Sequence, residues 1–363
     1  MAALHQTAID APRVRVVIVD DSVAVRGFIA RWLNEFEDIE IVGSAADGRE
    51  AVSLIAVVKP DVVILDIEMP QLNGIEALPL IRLGAPNSAV IVSSNLTRSN
   101  AELAMRCLES GAAEILPKPT AENNVVPLED FKRELVDKVR ALGGRQVPRR
   151  PRRDRASAYP VVSAASLPAS GSPRVVLVGA STGGPTACIE FLTGLRPLVS
   201  TAPVVIAQHM PPIFTRVFAD HLAVATDIPC CEATHGEALR AGRVYVAPGG
   251  RHLTLAGSPD RAKLVVDDRP PVRFSRPSID LLFESGRDVF GADAAAVVLT
   301  GMGADGLEGA RALVSAGARV YAQSEETSVV WGMPRAIARA GLASEIGAPA
   351  ELAASLVACG RRS

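Results

Sequence analysis

The chain has 363 residues, of which 48% are hydrophobic and 21% charged, and its formal net charge is -2. This length favours two domains, and the composition is that of an ordinary globular protein. The near-neutral charge excludes a global basic field for nucleic acid or an anionic membrane. No apolar run approaches the roughly 20 residues that span a bilayer, and residues 1–11 lack the pattern of a secretory signal. Five cysteines without a C-x-x-C pair predict reduced thiols, so we expect a cytoplasmic protein.

The first part of the chain alternates apolar, β-rich runs with helix-like stretches. The strand-like runs are Val14–Val19, Val62–Leu65, Ala89–Val92 and Ala113–Leu116, and the helical stretches are Val23–Phe36, Arg49–Val58 and Ala101–Glu109. Strands that are apolar along nearly their whole length are buried on both faces, which predicts an α/β domain with a parallel sheet covered by helices. We assign residues 13–142 to this domain.

Residues 143–173 differ in character, being rich in Gly, Pro, Ser and Ala and carrying a basic block at Arg149–Arg153. Without helical or strand periodicity, this stretch is predicted to be a flexible, exposed linker. The basic block could bind nucleic acid or an acidic partner, but a solvated linker is the simpler interpretation.

Residues 174–361 form the second predicted domain, in which the alternation restarts. The predicted strands are Val175–Val178, Val204–Ile206, Arg243–Val246, His252–Leu255, Lys263–Val266, Ala294–Leu299 and Ala318–Tyr321. The predicted helices are Thr186–Leu195, Ile213–Ala225, Ser278–Phe290, Leu307–Ser315, Pro334–Arg339 and Pro349–Ala358. This pattern indicates a doubly wound α/β sheet with a partly antiparallel insertion.

Carboxylates gather at the predicted strand ends of the first domain. Asp20 and Asp21 follow the first strand and Asp66 follows the third, so all three should meet in one crevice at the carboxyl edge of the sheet. Such carboxylates repel one another unless a hard cation neutralises them, and Mg²⁺ is the natural choice because it also binds phosphate oxygens. One aspartate could then attack phosphorus, while Lys118 and Ser93 could contact the phosphate. A set of helix-capping acids is the alternative.

A serine at a strand end marks the second domain. Ser181 lies on Gly-x-Ser-x-Gly directly after a buried strand, a turn that lifts a hydroxyl above the sheet. His209, just past the next strand, is the candidate base, and Asp305 in a glycine-rich turn is the candidate orienting carboxylate. The Met302 N–H, in the flexible segment Gly301–Gly303, is the candidate oxyanion donor.

Three other interpretations remain for the second domain. The glycine-rich turn at Gly179–Gly184 could bind a nucleotide phosphate, although it lacks both the Gly-x-Gly-x-x-Gly and the Walker spacing. The domain could be a non-enzymatic regulator that uses the Ser181 turn as an anion pocket, or a general small-ester hydrolase. A DNA-binding output is disfavoured because no helix-turn-helix is evident and the net charge is near zero.

The first domain resembles the receiver domain of two-component response regulators, on Asp-Asp, Asp-Ile-Glu-Met-Pro, Ser and Lys-Pro at successive strand ends. The resemblance implies a flavodoxin-like fold with five parallel strands, phosphorylation of Asp66, Mg²⁺ held by Asp20, Asp21 and Asp66, and phosphate sensing by Ser93 and Lys118. Ile115 stands where the family usually has an aromatic switch residue.

The second domain resembles the catalytic domain of chemotaxis-type protein-glutamate methylesterases. The matching stretches are Gly-Ala-Ser-Thr-Gly-Gly, Gln-His-Met-Pro-Pro-Ile-Phe-Thr, Tyr-Val-Ala-Pro-Gly, Arg-Pro-Ser-Ile-Asp, Leu-Thr-Gly-Met-Gly-Ala-Asp-Gly and Gly-Met-Pro. The resemblance implies a Ser181, His209 and Asp305 triad with Thr182 beside the nucleophile, and no cofactor for the ester chemistry. It also implies methylated glutamates and certain glutamines on chemoreceptor cytoplasmic domains as substrates, a chemotaxis-type histidine kinase as phosphodonor, and activation by phosphorylation.

Overall fold

The computed structural model describes residues 13–95, 97–118, 128–144 and 171–360. These residues form two compact units, the first from residues up to 95 and from 110 to 144, the second from residues 97–109 and from 171 onward. Most of the predicted linker, residues 145–170, lies outside the described residues, and the predicted domain bounds stay a prediction. No helix among the described residues is long and apolar enough to cross a membrane.

The first unit contains a five-stranded sheet in the order β2-β1-β3-β4-β5, with every neighbouring pair parallel. Its strands are β1 (Val14–Val19), β2 (Ile39–Ala45), β3 (Val62–Asp66), β4 (Ala89–Ser94) and β5 (Glu114–Pro117). The helices that alternate with these strands in the chain are α1 (Val23–Leu33), α2 (Gly48–Val58), α3 (Gly74–Gly84), α4 (Arg98–Glu109) and α5 (Leu128–Gly143). Of these, α4 belongs to the second compact unit. The predicted parallel α/β architecture is confirmed.

Two site residues of the first unit lie inside strands, whereas the sequence predicted them after the strands. Asp66 is the last residue of β3, and Ser93 is the fifth residue of β4. The register pairs Asp66 with Ser93, so the two side chains belong to neighbouring positions at the carboxyl edge of the sheet. The start of α3 packs directly against the end of β3. This requires a glycine at position 74, because a Cβ on Gly74 would lie 2.1 Å from the carbonyl oxygen of Asp66.

The second unit contains a seven-stranded parallel sheet in the order β14-β13-β12-β6-β7-β9-β8. Its strands are β6 (Val175–Ala180), β7 (Val204–Gln208), β8 (Cys230–Glu232), β9 (Val244–Val246), β12 (Ala294–Val298), β13 (Arg319–Gln323) and β14 (Glu345–Gly347). The strands β10 (His252–Ala256) and β11 (Lys263–Asp267) form a separate antiparallel pair. The predicted antiparallel insertion thus consists of this pair, with isolated antiparallel bridges at Ala238–Lys263 and Val272–Ser275.

The helices of the second unit are α6 (Gly184–Val199), α7 (Phe214–Thr226), α8 (Ile279–Phe290), α9 (Leu307–Ser315), α10 (Met333–Arg339) and α11 (Pro349–Gly360). One apolar core lies between the central strands, the β10–β11 pair and helices α8 and α9, and it includes Leu177, Tyr245, Phe283 and Val298. Strand β6 lies at the sheet's topological switch point, because β7 follows on one side and β12 pairs on the other. Ligands of open α/β sheets bind at the carboxyl ends of strands at such a point.

Candidate functional site

Ser181 lies directly after β6, on a turn whose backbone is fixed at several points. Its N–H donates to Thr300 O at 3.0 Å, and its carbonyl accepts from Gly184 N–H at 2.7 Å and from Gln208 Nε2 at 2.9 Å. Gly183 caps α6 with a φ of 76°, a left-handed conformation that favours glycine. The serine is therefore presented from rigid backbone at the start of a helix.

His209 occupies the equivalent position on the neighbouring strand. The register pairs Ala180 of β6 with Gln208 of β7, and His209 N–H donates to Ala180 O at 3.0 Å. Adjacent strands lie about 4.8 Å apart, so the backbones of Ser181 and His209 begin side by side at the sheet edge. Ser181 Oγ makes no hydrogen bond to another described residue, which leaves it available to the imidazole or to a substrate.

Asp305 contacts one of the two ring nitrogens of His209. His209 Nε2 lies 2.9 Å from Asp305 Oδ2, and Asp305 is only 5% exposed. A carboxylate oxygen only accepts, so Nε2 carries the proton and Nδ1 remains as the acceptor that can take a proton from Ser181. The structure therefore brings His209 and Asp305, two of the three residues predicted to act together, into contact, and it places Ser181 on the turn after the neighbouring strand.

The carboxylate of Asp305 is held by the N-terminus of α8. Oδ1 accepts from Ser278 Oγ at 3.1 Å, from Asp280 N–H at 3.0 Å and from Gly306 N–H at 3.0 Å, while Oδ2 also accepts from Ile279 N–H at 2.8 Å. Burial acts to raise the pKa of Asp305, but the hydrogen bonds from His209 and from the helix amides outweigh it and lower the pKa. A helix N-terminus stabilises an anion in this way, so Asp305 stays charged.

The Met302 N–H lies in the loop between β12 and α9, beside the serine turn. Gly301 N–H donates to Val330 O at 2.9 Å, and a Cβ on Gly301 would lie 2.7 Å from Ser181 Cβ. Met302 N–H donates to no acceptor within the described ranges. Thr182, which is 2% exposed, connects the two segments, because its carbonyl accepts from Thr300 Oγ1 at 2.9 Å. The predicted oxyanion donor therefore borders the nucleophile.

The acidic residues predicted in the first unit form one cluster. One carboxylate oxygen from each of Asp20, Asp21 and Asp66 lies within 4.8 Å of the others. Lys118 Nζ lies 2.8 Å from Asp20 Oδ2 and 2.8 Å from Asp66 Oδ2. Asp20 and Asp66 are buried, whereas Asp21 is exposed, so the cluster opens to solvent on one side.

The negative charge of this cluster is only partly neutralised by Lys118. Burial, with a smaller contribution from Asp20, raises the pKa of Asp66 even though Lys118 lowers it. The two aspartates in turn raise the pKa of Lys118, against the effect of its burial. Ser93 Oγ is buried and has no hydrogen-bond partner among the described residues. One lysine does not fully compensate the carboxylates, and a hydroxyl remains available beside Asp66.

Comparison with known proteins shows to which family the chain belongs. The CheB methylesterase model matches residues 176–356, and the response regulator receiver domain model matches residues 16–128. The protein-glutamate methylesterase/protein-glutamine glutaminase of Rhodopseudomonas palustris (strain BisB5) is 42% identical over 347 residues, which cover 92% of this chain and 90% of that protein. The chain belongs to the CheB methylesterase family. It is a carboxylic ester hydrolase joined to a receiver domain, as the resemblance implied.

Two further proteins are similar to this chain. The protein of the same description from Nitrobacter hamburgensis is 41% identical over 372 residues, covering 98% of this chain and 97% of that protein. The crystal structure of the Thermotoga maritima CheB methylesterase catalytic domain is 33% identical, covers 52% of this chain and 98% of that chain, and has a TM-score of 0.49. We refer below to the first unit as the receiver unit and to the second as the esterase unit.

Several residues that support the esterase site were not singled out as site residues from the sequence. Gln208 donates from Nε2 to both Ser181 O and His209 O, at 2.9 and 3.1 Å, and so couples the two segments. Gln323 Oε1 accepts from Thr300 N–H at 2.7 Å, and Ser278 donates to Asp305. Gln208 and Gln323 are polar residues at the ends of apolar strands, a pattern that could have indicated them.

Proposed function

We propose that the esterase unit hydrolyses methyl esters of glutamate side chains on the cytoplasmic domains of methyl-accepting chemoreceptors, through Ser181, His209 and Asp305. The single observation that carries the catalytic part is the contact of His209 Nε2 with an Asp305 carboxylate fixed by the α8 amides, beside the Ser181 turn. The substrate class is supported by the description of the relatives as protein-glutamate methylesterases/protein-glutamine glutaminases.

The reaction proceeds through an acyl-enzyme. His209 Nδ1 takes the proton from Ser181 Oγ, which attacks the ester carbon, and the same proton then passes to the methoxide so that methanol leaves. Water, deprotonated by His209, hydrolyses the acyl-enzyme and restores both the glutamate and Ser181. With a glutamine side chain the same steps release ammonia, which gives the glutaminase activity. Asp305 stabilises the imidazolium throughout.

The oxyanion of each tetrahedral intermediate is stabilised by the Met302 N–H. A single such donor contributes roughly 3–4 kcal/mol in enzymes where one has been removed. Gly301 and Gly332 keep this loop close to the nucleophile, because a Cβ on Gly332 would lie 2.7 Å from Gly301 O. Thr182 fixes the loop through the Thr300 hydroxyl.

The receiver unit fits a divalent cation. Asp20 Oδ2 and Asp66 Oδ2 both lie 2.8 Å from the same Lys118 Nζ, and three carboxylates converge where this one lysine leaves negative charge uncompensated. Hard oxygen ligands of this kind suit Mg²⁺, which Asp20, Asp21 and Asp66 would hold. When bound, Mg²⁺ neutralises charge on phosphoryl oxygens.

We further propose that phosphorylation of Asp66 activates the esterase unit, with a chemotaxis-type histidine kinase as phosphodonor in the cytoplasm. The carboxylate of Asp66 attacks the phosphorus of the kinase's phosphohistidine, and the P–N bond breaks so that the kinase histidine leaves. Lys118 Nζ binds one phosphoryl oxygen, and Ser93 Oγ donates to another. The register of Ser93 with Asp66 and the unpartnered Ser93 hydroxyl support this assignment.

Methanol release from methylated receptor cytoplasmic fragments tests both parts. The wild type is compared with Ser181→Ala and Asp66→Ala, with and without acetyl phosphate and Mg²⁺. We expect release that rises with the phosphodonor, loses that rise in Asp66→Ala, and disappears in Ser181→Ala. Substantial turnover by Ser181→Ala would exclude the nucleophile assignment.

A fluorophosphonate label separates the remaining alternatives. Reaction at Ser181 without methanol release from any receptor would indicate another ester substrate. No reaction at Ser181 would indicate a non-enzymatic anion pocket. A response to acetyl phosphate that persists in Asp66→Ala would exclude Asp66 as the phosphorylated residue.

A further inference from the structure

His252 is a fully buried histidine whose two ring nitrogens both have backbone partners. Nδ1 lies 3.2 Å from the N–H of Ser278, and Nε2 lies 3.1 Å from the carbonyl oxygen of Pro270. An N–H only donates and a carbonyl only accepts, so Nδ1 is unprotonated and Nε2 carries the proton. The surroundings therefore select a single neutral tautomer of His252.

The residue that His252 holds is the N-cap of α8, where the donors to Asp305 begin. Ser278 is fully buried, and its Oγ donates to Asp305 Oδ1 at 3.1 Å. The next two N–H groups, those of Ile279 and Asp280, donate to the same carboxylate at 2.8 and 3.0 Å. Three of the groups that orient Asp305 thus start from a residue whose own N–H is fixed by the imidazole of His252.

If His252 had a purely structural role, it would attach β10 to α8. Other residues already make contacts that hold this strand against this helix. Leu255 N–H donates to Ser285 Oγ at 3.0 Å, two helical turns into α8. Leu253, Leu255 and Leu282 also belong to the shared apolar core. The packing of strand on helix is therefore secured independently of His252, whose bonds are confined to the residue at the helix start and to Pro270.

We propose that His252 is a positioning residue of the esterase site. By accepting from Ser278 N–H, it holds the first turn of α8 against Asp305, which in turn fixes the ring of His209. The inference rests on the triad of the proposed function, but it concerns a residue outside that triad that touches neither the substrate nor the reacting atoms.

Two amide substitutions in the full chain separate the two bonds of His252. In His252→Asn the amide oxygen can take the place of Nδ1 and accept from Ser278. In His252→Gln the amide nitrogen can reach the place of Nε2 and donate to Pro270, while the Ser278 N–H loses its acceptor. We measure the rate of Ser181 labelling by a fluorophosphonate, kcat and KM for methylated receptor fragments, and the ¹⁵N–¹H signal of the His209 Nε2 proton.

We expect His252→Asn to retain labelling within a few-fold of the wild type, and His252→Gln to lose roughly ten-fold or more, since a buried donor is left without a partner. The loss should fall on kcat with KM unchanged, and the His209 Nε2 proton signal should shift only in the Gln variant. Equal losses in both variants, or no loss in either, would overturn the proposal. If the Gln variant does not fold, His252→Ala replaces it, because it also leaves the Ser278 N–H without its acceptor, and the same loss relative to His252→Asn is expected.

The NMR signal keeps this inference separate from the proposed function. If wild-type Ser181 failed to react while the His209 Nε2 proton still shifted in His252→Gln alone, nucleophilic catalysis would be wrong and the positioning role would stand. If labelling succeeded but the His209 signal were identical in all three proteins, the positioning role would be wrong and the triad would stand.

Discussion

Replacing Asp305 with asparagine tests how the esterase site holds its charge. In the wild type, Oδ1 accepts from Asp280 N–H, Gly306 N–H and the Ser278 hydroxyl, and Oδ2 accepts from Ile279 N–H and His209 Nε2. Asparagine has one oxygen, so its NH₂ group must face one of these two sets of donors. The two orientations have different energies, which the structure allows us to compare.

If the NH₂ group takes the place of Oδ1, two fixed backbone donors lose their acceptor, those of Asp280 and Gly306. If the NH₂ group takes the place of Oδ2, only the Ile279 N–H loses its acceptor, because the His209 ring can change tautomer and accept a hydrogen bond from the NH₂ group. Each orphaned buried donor costs about 1–3 kcal/mol. The second orientation is therefore preferred, and we expect the esterase unit to lose about 1–3 kcal/mol of unfolding free energy at neutral pH.

The preferred orientation also inactivates the enzyme. An amide NH₂ donating to Nε2 forces the His209 proton onto Nδ1, where it faces Ser181 and cannot act as a base. In serine proteases, replacing the triad aspartate with asparagine lowers kcat by about 10⁴ because it holds the catalytic histidine in the wrong tautomer. We expect methanol release to fall by roughly 10³–10⁴.

The assay uses the two tryptophans of the chain. Trp32 lies in the receiver unit and Trp331 in the esterase unit, so a Trp32→Phe background makes fluorescence during urea unfolding report the esterase unit alone. Asp260→Asn is the matched control, since Asp260 is 84% exposed in its ion pair with Arg174. We expect the control to change stability by less than about 0.5 kcal/mol.

The pH dependence of the unfolding free energy provides a test that could refute this reasoning. Because the pKa of Asp305 is lowered by folding, its charge stabilises the folded state above the unfolded pKa of about 3.9, and this contribution disappears as pH falls through the folded value. The stability gap between wild type and Asp305→Asn should be largest near neutral pH and shrink below about pH 4. A gap independent of pH, or turnover within ten-fold of the wild type, would refute the reasoning.

Three further predictions follow from other contacts. Gly301→Ala should abolish methanol release, because its Cβ would lie 2.6 Å from Met333 Sδ and against Ser181. Gly303→Ala is the control: its Cβ would meet open space, and the variant should lose only about 1–2 kcal/mol of stability because Gly303 has a φ of 85°. The melting temperature of the receiver unit without Mg²⁺ should fall as pH rises from the unfolded pKa of Asp66, about 3.9, up to its raised folded pKa, and Asp66→Asn should remove that fall. Lys138→Met should lower the urea-unfolding free energy of the receiver unit by about 3 kcal/mol, because it leaves Glu114 and Glu134 without their buried cation.

Long apolar strands were predictable from the sequence, whereas of the three-residue strands only β9 was, within the predicted run Arg243–Val246. The predicted run Val14–Val19 coincides with β1, whose last four residues are buried. Strand β2 was counted but given no bounds, because Glu40, Gly43 and Ser44 interrupt its apolar pattern at the sheet edge. Strands β8 and β14 have three residues each, too few to show any periodicity.

The places of the site residues were predictable because parallel strands share one carboxyl edge. The sequence placed Ser181 and His209 after successive strands, and the register sets their segments side by side. It could not indicate which imidazole nitrogen faces Asp305, because that depends on how the loop after β12 meets the start of α8. The role of Ser278 depends on the same tertiary packing and was missed for the same reason.

The two units neutralise carboxylates at their sheet edges by different means. In the esterase unit one carboxylate receives hydrogen bonds from backbone amides at a helix start, and the pKa of Asp305 is lowered. In the receiver unit Asp20 and Asp66 share one lysine beside the third carboxylate, Asp21, and the pKa of Asp66 is raised by its burial.

This difference matches the chemistry proposed for each unit. A triad carboxylate must keep its charge through every turnover, which fixed amides achieve without any exchange of ligands. A phosphorylation site must accept and lose a doubly charged group, so its neutralisation has to be adjustable. An exchangeable Mg²⁺ and a lysine on a flexible side chain meet that requirement, whereas a set of fixed backbone donors does not.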